Sequence, residues 1–430
     1  MNSKMKKLLS AVVTAIIITL PFTEIYSQSF NPFRGCVIDD SDPNGDCIPN
    51  TLLTAMPFLR IAPDARGGAM GDVGITMSPD ANSVFYNASN LAFAEKKTEL
   101  SLTYTPWLRQ LNLNDVFLLY LSGYSKLNDN ETVGAALRYF SLGEINFTDE
   151  SGGSLGFGNP RELEFLVTYA RKLGDNFAAS ISAKYVYSNL ASGLVVNGVN
   201  INAANALAAD FSLTWRKNTK LGGYKSRWTY ALAISNLGSK VSYTDENTVR
   251  DFLPSNLGFG AGLFMEMDEY NTLAFSLEFN KLLVPTPITR NIVDPNDPDA
   301  FIPNPEFSTD GDDIGDYRQK ALFSGVLGSF ADAPGGFGEE ISELGISFGA
   351  EYWYDQQFAV RAGYYYEHPD KGDRQYLTAG IGVKYNVFGI NLSYLVPTNN
   401  RRNPLDNTLR FSLMFDFEGY KLQNAEGLEE

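Results

Sequence analysis

In the stretch NTLRFSLMFDFEG, apolar and polar residues take turns. Leu409, Phe411, Leu413, Phe415 and Phe417 fall on one side, and Arg410, Ser412, Met414, Asp416 and Glu418 fall on the other. A period of two is the signature of an extended strand with one greasy and one wet face. QFAVRAGYYYEH repeats it, setting Phe358, Val360, Ala362, Tyr364 and Tyr366 against Arg361, Gly363, Tyr365 and Glu367. NTLAFSLEFNK and FGINLSYLVP do the same. Fourteen segments follow the rule, near 98–105, 115–126, 131–141, 161–172, 176–188, 204–216, 227–237, 255–267, 271–282, 343–354, 357–368, 375–385, 388–396 and 407–418.

The connections alternate as well. Six are fairly short, around LNDN, LGD, KNTKLGGYKS, DEY, DQ and NV. Between them come mostly longer ones: PWLRQLNLN, 142–160, 189–203, 238–254, 283–342, PDKGDR and 397–406. Transmembrane barrels show this alternation of short periplasmic turns and long outer loops. The pattern predicts an all-β fold, a 14-stranded antiparallel transmembrane β-barrel whose even strand number leaves both termini on the periplasmic side. Glu99, Glu164, Asp210, Glu278, Arg361, Arg410 and Asp416 share the polar face. Each would cost several kcal/mol in lipid, of order 2–4 for a basic side chain at the midplane, so they are expected to line the lumen. Trp353, Tyr354 and Tyr385, near strand ends, read as an interfacial aromatic girdle.

The rest of the chain fits that frame. Lys4, Lys6 and Lys7 precede an apolar run from Leu8 to Phe22, shorter than a membrane-spanning helix needs. This reads as a secretory signal peptide cleaved near Gln28. The chain is rich in aromatics, with 29 Phe, 23 Tyr and 4 Trp, as a membrane barrel would be. A formal charge of −16 excludes nucleic acid as a partner, because its phosphates would be repelled. The expected layout is a signal peptide at 1–28, an N-terminal segment at 29–97, the barrel at 98–418 and a periplasmic tail at 419–430. Loop 283–342 is too long to be idle. It carries DYRQKALFSGVLGSFADAPGG, where Asp316 is expected to cap a short helix with Leu322, Val326, Leu327 and Phe330 as its apolar residues.

Three local patterns raise chemical possibilities. Cys36 and Cys47, the two cysteines, are expected to form one disulfide in an oxidising compartment. Between them Asp40, Asp42, Asn44 and Asp46 alternate, with Gly45 sixth from Asp40, which matches the opening of a calcium loop. The closing acid of such a loop is missing, since Thr51 stands at the twelfth place; the bland reading is a polar, disulfide-closed turn. No other cofactor is expected. GISFG, Gly345 to Gly349, is a literal G-x-S-x-G, but it sits inside a strand and not at the strand-to-helix turn a hydrolase requires. A catalytic pair would need Ser347 to reach His368, the only histidine.

The third pattern is GGAMGDVG, with four glycines in eight residues. It matches neither the P-loop nor the dinucleotide-binding spacing. The alternative is close packing of backbone, which glycine permits. Gly67, Gly68 and Gly71 are then expected to face backbone or barrel wall, with Asp64, Arg66 and Asp72 pairing with lumenal charges.

The longer stretch FLRIAPDARGGAMGDVGITMSPDANSVFYNASNLAF resembles the N-terminal signature of the PorV family, also called LptO, outer-membrane components of the type IX secretion system. That family is similar to the wider FadL-like group, whose barrels hold an N-terminal segment in the lumen. Many of these carry an NPAGL sequence; here Asn87-Ala88-Ser89-Asn90-Leu91 keeps the first Asn and the Leu. The resemblance implies a non-enzymatic protein of the bacterial outer membrane, embedded in its lipid. Such a protein binds secreted cargo through C-terminal signal domains at the translocon barrel, then passes it to a surface attachment complex with a sortase-like protease. The alternatives are a FadL-like transporter of hydrophobic small molecules and, further behind, a lipopolysaccharide deacylase.

Overall fold

The computed structural model describes residues 28–31, 36–39, 51–108, 113, 115–148, 151–196, 198–244, 250–287, 291–294, 297–303, 315–333, 336–399 and 408–417. It divides into two units, 1–49 and 50–430. In the first, Gln28–Asn31 and Cys36–Asp39 pair as an antiparallel hairpin. Cys47, Asp40, Asp42, Asn44 and Asp46 lie outside the described residues, and with them the expected disulfide and calcium loop. The signal peptide and the residues after 417 lie outside them too.

The second unit is built on fourteen antiparallel strands: β1 (Thr98–Pro106), β2 (Val116–Lys126), β3 (Glu131–Leu142), β4 (Arg161–Gly174), β5 (Phe177–Asn189), β6 (Ala204–Leu221), β7 (Tyr224–Gly238), β8 (Asn256–Glu266), β9 (Asn271–Leu282), β10 (Leu344–Tyr354), β11 (Phe358–Tyr366), β12 (Gln375–Tyr385), β13 (Phe388–Pro397) and β14 (Leu409–Asp416). Each pairs with the next in sequence, and β14 pairs with β1 from Phe411↔Tyr104 to Asp416↔Glu99, so the sheet closes on itself. Closure removes the open edge that lipid could not satisfy.

The side chains obey the two-residue period. On β14, Leu409, Phe411 and Leu413 point outward and are exposed, whereas Arg410, Ser412 and Met414 are buried inside. Glu99, Glu164, Asp210, Glu278, Arg361 and Arg410 are all buried in the lumen. Trp353 is there too. It shares the inward parity of Glu351 and packs under Arg361 and Lys384 at 5.2 and 4.4 Å, so it is not part of an outer girdle. Tyr354 and Tyr385, one step out of phase, do point outward.

Strands β6 and β7 run further than their alternation shows, meeting at a two-residue turn, Gly222–Gly223. Their ends, KNTKL and YKS, carry no greasy face. Beyond the hydrocarbon layer backbone pairing continues without one, so the periodicity fades before the strand does.

In loop 283–343, Asn291–Asp294 and Asp297–Pro303 form a hairpin that the Pro- and Asp-rich sequence did not announce. After α1 (Ala65–Gly68) and α2 (Ser83–Tyr86) of the N-terminal segment, the expected helix is two short ones, α3 (Asp316–Gln319) and α4 (Leu322–Gly328), followed by α5 (Phe337–Ser342). Asp316 is inside the first turn of α3 and is not its N-cap residue; Gly315 and Ala321 hold the cap positions of α3 and α4. Lys320 takes an extended backbone between them, which breaks the single helix that the apolar spacing implied.

Both strand ends at Thr98 and Asp416 lie at the short-turn end of the barrel. The N-terminal segment does not begin there. Leu52 packs with Phe252, Leu282 and Val284 at the long-loop end, and the Ala55 amide donates to the Phe252 carbonyl at 2.9 Å. From there residues 56–97 thread the lumen to the other end, where Lys126 Nζ donates to the Ala94 carbonyl at 3.0 Å. The described part of the segment thus enters the lumen from the long-loop end. Parity counts strands, and a segment lying inside the barrel crosses once more.

Candidate functional site

The lumenal segment is held by a chain of polar contacts, most with their partners on the wall. Its first stretch is a 3-10 turn, Pro57–Arg60, with Phe58 and Leu59 buried among Trp107, Val116 and Phe140. Arg138 Nη1, from β3, donates to the Phe58 carbonyl at 2.9 Å. Arg60 reaches the outer rim, where its Nη2 meets Glu367 Oε1 at 3.1 Å. Arg374 grips the same carboxylate through Nε at 2.8 Å and Nη2 at 2.9 Å. Burial alone would raise the Glu367 carboxyl, but Arg374 and Arg60 outweigh it and hold it at about 2.

Next comes α1 (Ala65–Gly68), a single helical turn capped by Asp64. Asp64 Oδ2 accepts from the Arg66 and Gly67 amides at 2.8 and 3.0 Å, and Oδ1 accepts from Tyr86 Oη at 2.8 Å. The Ala65 amide donates to Ser412 Oγ on β14 at 2.9 Å.

Arg66 forms the central tie. Its Nε and Nη2 grip Glu351 on β10 at 2.9 and 2.7 Å, and its Nη1 meets Asp80 at 2.8 Å. Arg361, cross-strand from Glu351, completes the group through Nε at 2.6 Å. Two guanidinium groups around one carboxylate, with Asp80 outside, leave the buried charges balanced, as burial demands. Asp72 accepts from Tyr376 Oη at 2.5 Å and lies 3.6 Å from Arg410 Nη2.

The glycines lie against protein. A Cβ on Gly67 would meet Tyr86 Oη at 2.3 Å; one on Gly68 would meet Arg410 Nη1 at 2.4 Å. Gly71, at φ 72°, lies on the backbone of Tyr364 and donates to Thr378 Oγ1 at 2.8 Å. The wall answers with glycines of its own. Gly349 on β10 pairs with Gly363 on β11, which pairs with Thr378 on β12, making one flat row. A Cβ on Gly363 would stand 2.0 Å from the Met70 carbonyl carbon, and one on Gly349 2.6 Å from the Met70 carbonyl oxygen. Sequence reasoning missed this seat. Its only trace was an inward glycine in each of two neighbouring strands.

Gly349 is also the last residue of G-x-S-x-G, which gives that motif a packing role. Ser347 is fully buried, and it pairs with Tyr365, three residues short of His368. That separation is about 10 Å at strand rise, against the 3 Å or so of a hydrogen bond. His368 instead accepts from the Asp370 amide at 3.3 Å. The structure does not bring the pair together.

Further along, Glu278 on β9 accepts from the Gly74 and Thr76 amides at 3.0 and 2.8 Å. In the NASNL stretch, Asn87 Nδ2 donates to the Ile75 carbonyl and to Thr214 Oγ1, while Asn90 Nδ2 donates to the Ile75 and Met77 carbonyls. The asparagines thus fold the segment on itself and tie it to β6. Among the described residues, no group of three or more His, Cys, Asp or Glu is placed to hold a metal.

At the long-loop end the helices show a different surface. α4 turns Gly325 and Val326 inward and leaves Phe323 and Leu327, four residues apart, 67 and 71% exposed. Phe330, Phe337 and Ile341 are exposed nearby in sequence. The base beneath is tied down: Lys281 pairs with Glu340 and Glu343, Lys371 with Glu339 and Glu343, and Arg318 with Asp251.

Among solved structures, the toluene transporter TodX of Pseudomonas putida is 13% identical, covering 85% of this chain and 97% of its own, with a TM-score of 0.44. The Ralstonia pickettii toluene transporter TbuX gives 11%, 82%, 96% and 0.44. A Pseudomonas aeruginosa FadL homologue gives 10%, 86%, 100% and 0.39. At those scores the superpositions carry no argument, and the fold rests on the strand pairing above. The comparison with curated proteins finds no match. The profile of the family described as type IX secretion system protein PorV matches residues 45–289. That span is more than half of the sequence, and the chain belongs to the PorV family of the type IX secretion system.

Proposed function

We propose that this protein is a non-enzymatic adaptor of the bacterial outer membrane. It binds secreted cargo by C-terminal signal domains at the translocon barrel and passes it to a surface attachment complex that includes a sortase-like protease. The observation that carries this reading is the long-loop end. Phe323 and Leu327 stand exposed on one helix face over a base cross-linked by buried ion pairs. A contiguous exposed apolar face on a fixed base is what a protein partner requires. The segment that crosses the lumen supports the same reading over a transporter, because Arg66, Asp72 and Glu278 bind it to the walls where a substrate route would pass.

Affinity capture from native membranes tests the proposal. The wild-type protein is expected to bring down the translocon barrel and cargo. A Phe323→Asp, Leu327→Asp variant, folded and inserted, should lose cargo, the translocon or both. Recovery of the wild-type protein alone would overturn the adaptor reading.

A further inference from the structure

At the short-turn end, below the lumenal segment, a cavity of about 500 Å3 opens between the walls. Its size is that of a small-molecule site. Two arginines from neighbouring strands project into it. Arg216 on β6 pairs across with Thr229 on β7, and Arg227 lies two residues along on the same inward face, which places the two about 7–8 Å apart. Arg216 is 93% buried, since its exposure is 7%. It spends Nη2 on Asn90 Oδ1 at 3.1 Å and stacks on Phe93 at 4.4 Å, and its Nε has no partner among the described residues. Arg227 stacks on Phe264 at 5.0 Å, and its buried Nε has no partner either. Lys172 holds a third positive charge, 5.6 Å over the Phe93 ring.

The other arginines of the lumen differ in this respect. Arg66 and Arg361 share Glu351 and Asp80, Arg138 has Glu164, and Arg410 has Asp72. No described carboxylate lies within ion-pair distance of Arg216 or Arg227. The acids that line this cavity are engaged elsewhere or lie at its mouth: Asp80 and Glu351 hold Arg66 and Arg361, Glu99 holds Lys96, Glu266 lies 3.8 Å from the exposed Lys225, and Glu95, Asp268 and Glu269 are exposed. Two desolvated guanidinium groups side by side, without an anion, are costly. Aromatic platforms hold them in place without neutralising them.

We infer that Arg216 and Arg227 form a binding site for a discrete tetrahedral oxyanion, a phosphate group, at the periplasmic mouth of the barrel. A dianion matches the two charges, and its oxygens let each guanidinium donate from a different side. The acidic residues at the mouth repel extended polyanions, so the ligand is a single phosphate group. It is carried either by a soluble solute or by the headgroup of a lipid.

The test uses the full-length protein purified in detergent, with inorganic phosphate as probe and thermal unfolding and 31P NMR as readouts. Saturable binding that raises the unfolding midpoint is expected. An Arg216→Gln, Arg227→Gln variant should lose at least tenfold in affinity. Its phosphate-free midpoint should stay the same or rise, because a like-charge pair has been removed. Arg216→Lys keeps the charge but not the fork and should fall between. If the double variant fails to fold, each single Gln variant serves. Dihexanoyl phosphatidic acid binding more tightly than inorganic phosphate would identify a lipid source, and equal affinity a soluble one. No saturable phosphate binding by the wild type, or binding untouched by the Arg variants, would overturn the inference.

Discussion

At the scale of single residues, the lumen is specified by contacts that tolerate little change. Gly363 is one: the carbonyl carbon of Met70 and the amide nitrogen of Gly71 would stand 2.0 and 2.1 Å from any Cβ there. Backbone on both sides cannot yield cheaply, so Gly363→Ala should destabilise by about 1–3 kcal/mol, read as a lower urea midpoint with the barrel still assembled. Gly349→Ala should behave alike; if both variants unfold as the wild type does, the segment is not seated on that row. Arg66 is the second case. Arg66→Met would leave Asp80 without its guanidinium and Glu351 with Arg361 alone. Uncompensated buried charge puts the cost at about 3–5 kcal/mol. Arg66→Lys should recover only part of it, because one ammonium cannot replace a fork spread over two acids and Ser78. Equal stability of Met and Lys variants would show that the pairing contributes little.

At the scale of elements, the lumenal segment behaves as a strap pinned at both ends, and the outer pin is acid-sensitive. Glu367 is held at about 2, below its ordinary 4.5, so its contribution is fully present above about pH 4.5 and is lost as pH falls through 2. Protonation frees Arg60 and with it the turn at Phe58–Leu59. Pepsin, which cuts beside such residues in acid, should begin to cleave there between pH 4.5 and 2. Glu367→Gln should be cut already at pH 4.5. Protection that survives to pH 2 in the wild type would show that Arg138 and the packing around Phe58 hold this end without the clamp.

At the scale of the whole molecule, the strap changes the topology. Thr98 starts the barrel at the short-turn end, yet Leu52 and Ala55 sit at the long-loop end, which in such barrels faces outward. Leu53 is exposed there. A Leu53→Cys variant, with Cys36 and Cys47 replaced by Ser, should react with a membrane-impermeant maleimide on intact cells. Labelling only after lysis would reverse the orientation.

Most of the wall was legible along the chain. All fourteen strands, their antiparallel order and the inward placement of the charges follow from a period of two, because lipid outside and a polar lumen inside act on every residue separately. The family was legible as well, from IAPDARGGAMGD, which lies within the matched residues 45–289. The signal faded where that local force is absent: in the polar ends of β6 and β7, and in α3 and α4, where the chain bends to fit neighbours and not a periodicity.

What the linear sequence determined on its own was therefore the barrel and which face of each strand is wet. Which wet residue meets which was decided only by the tertiary structure. Gly71 meets Thr378 across 307 positions, on the row that Thr378 shares with Gly349 and Gly363, and Asp72 meets Arg410 across a similar distance in sequence. That Arg216 and Arg227 have no carboxylate beside them among the described residues is likewise visible only once Arg66, Arg138, Arg361 and Arg410 have found theirs. Alternation tells a side chain to point inward; closure and the threaded segment then choose its partner.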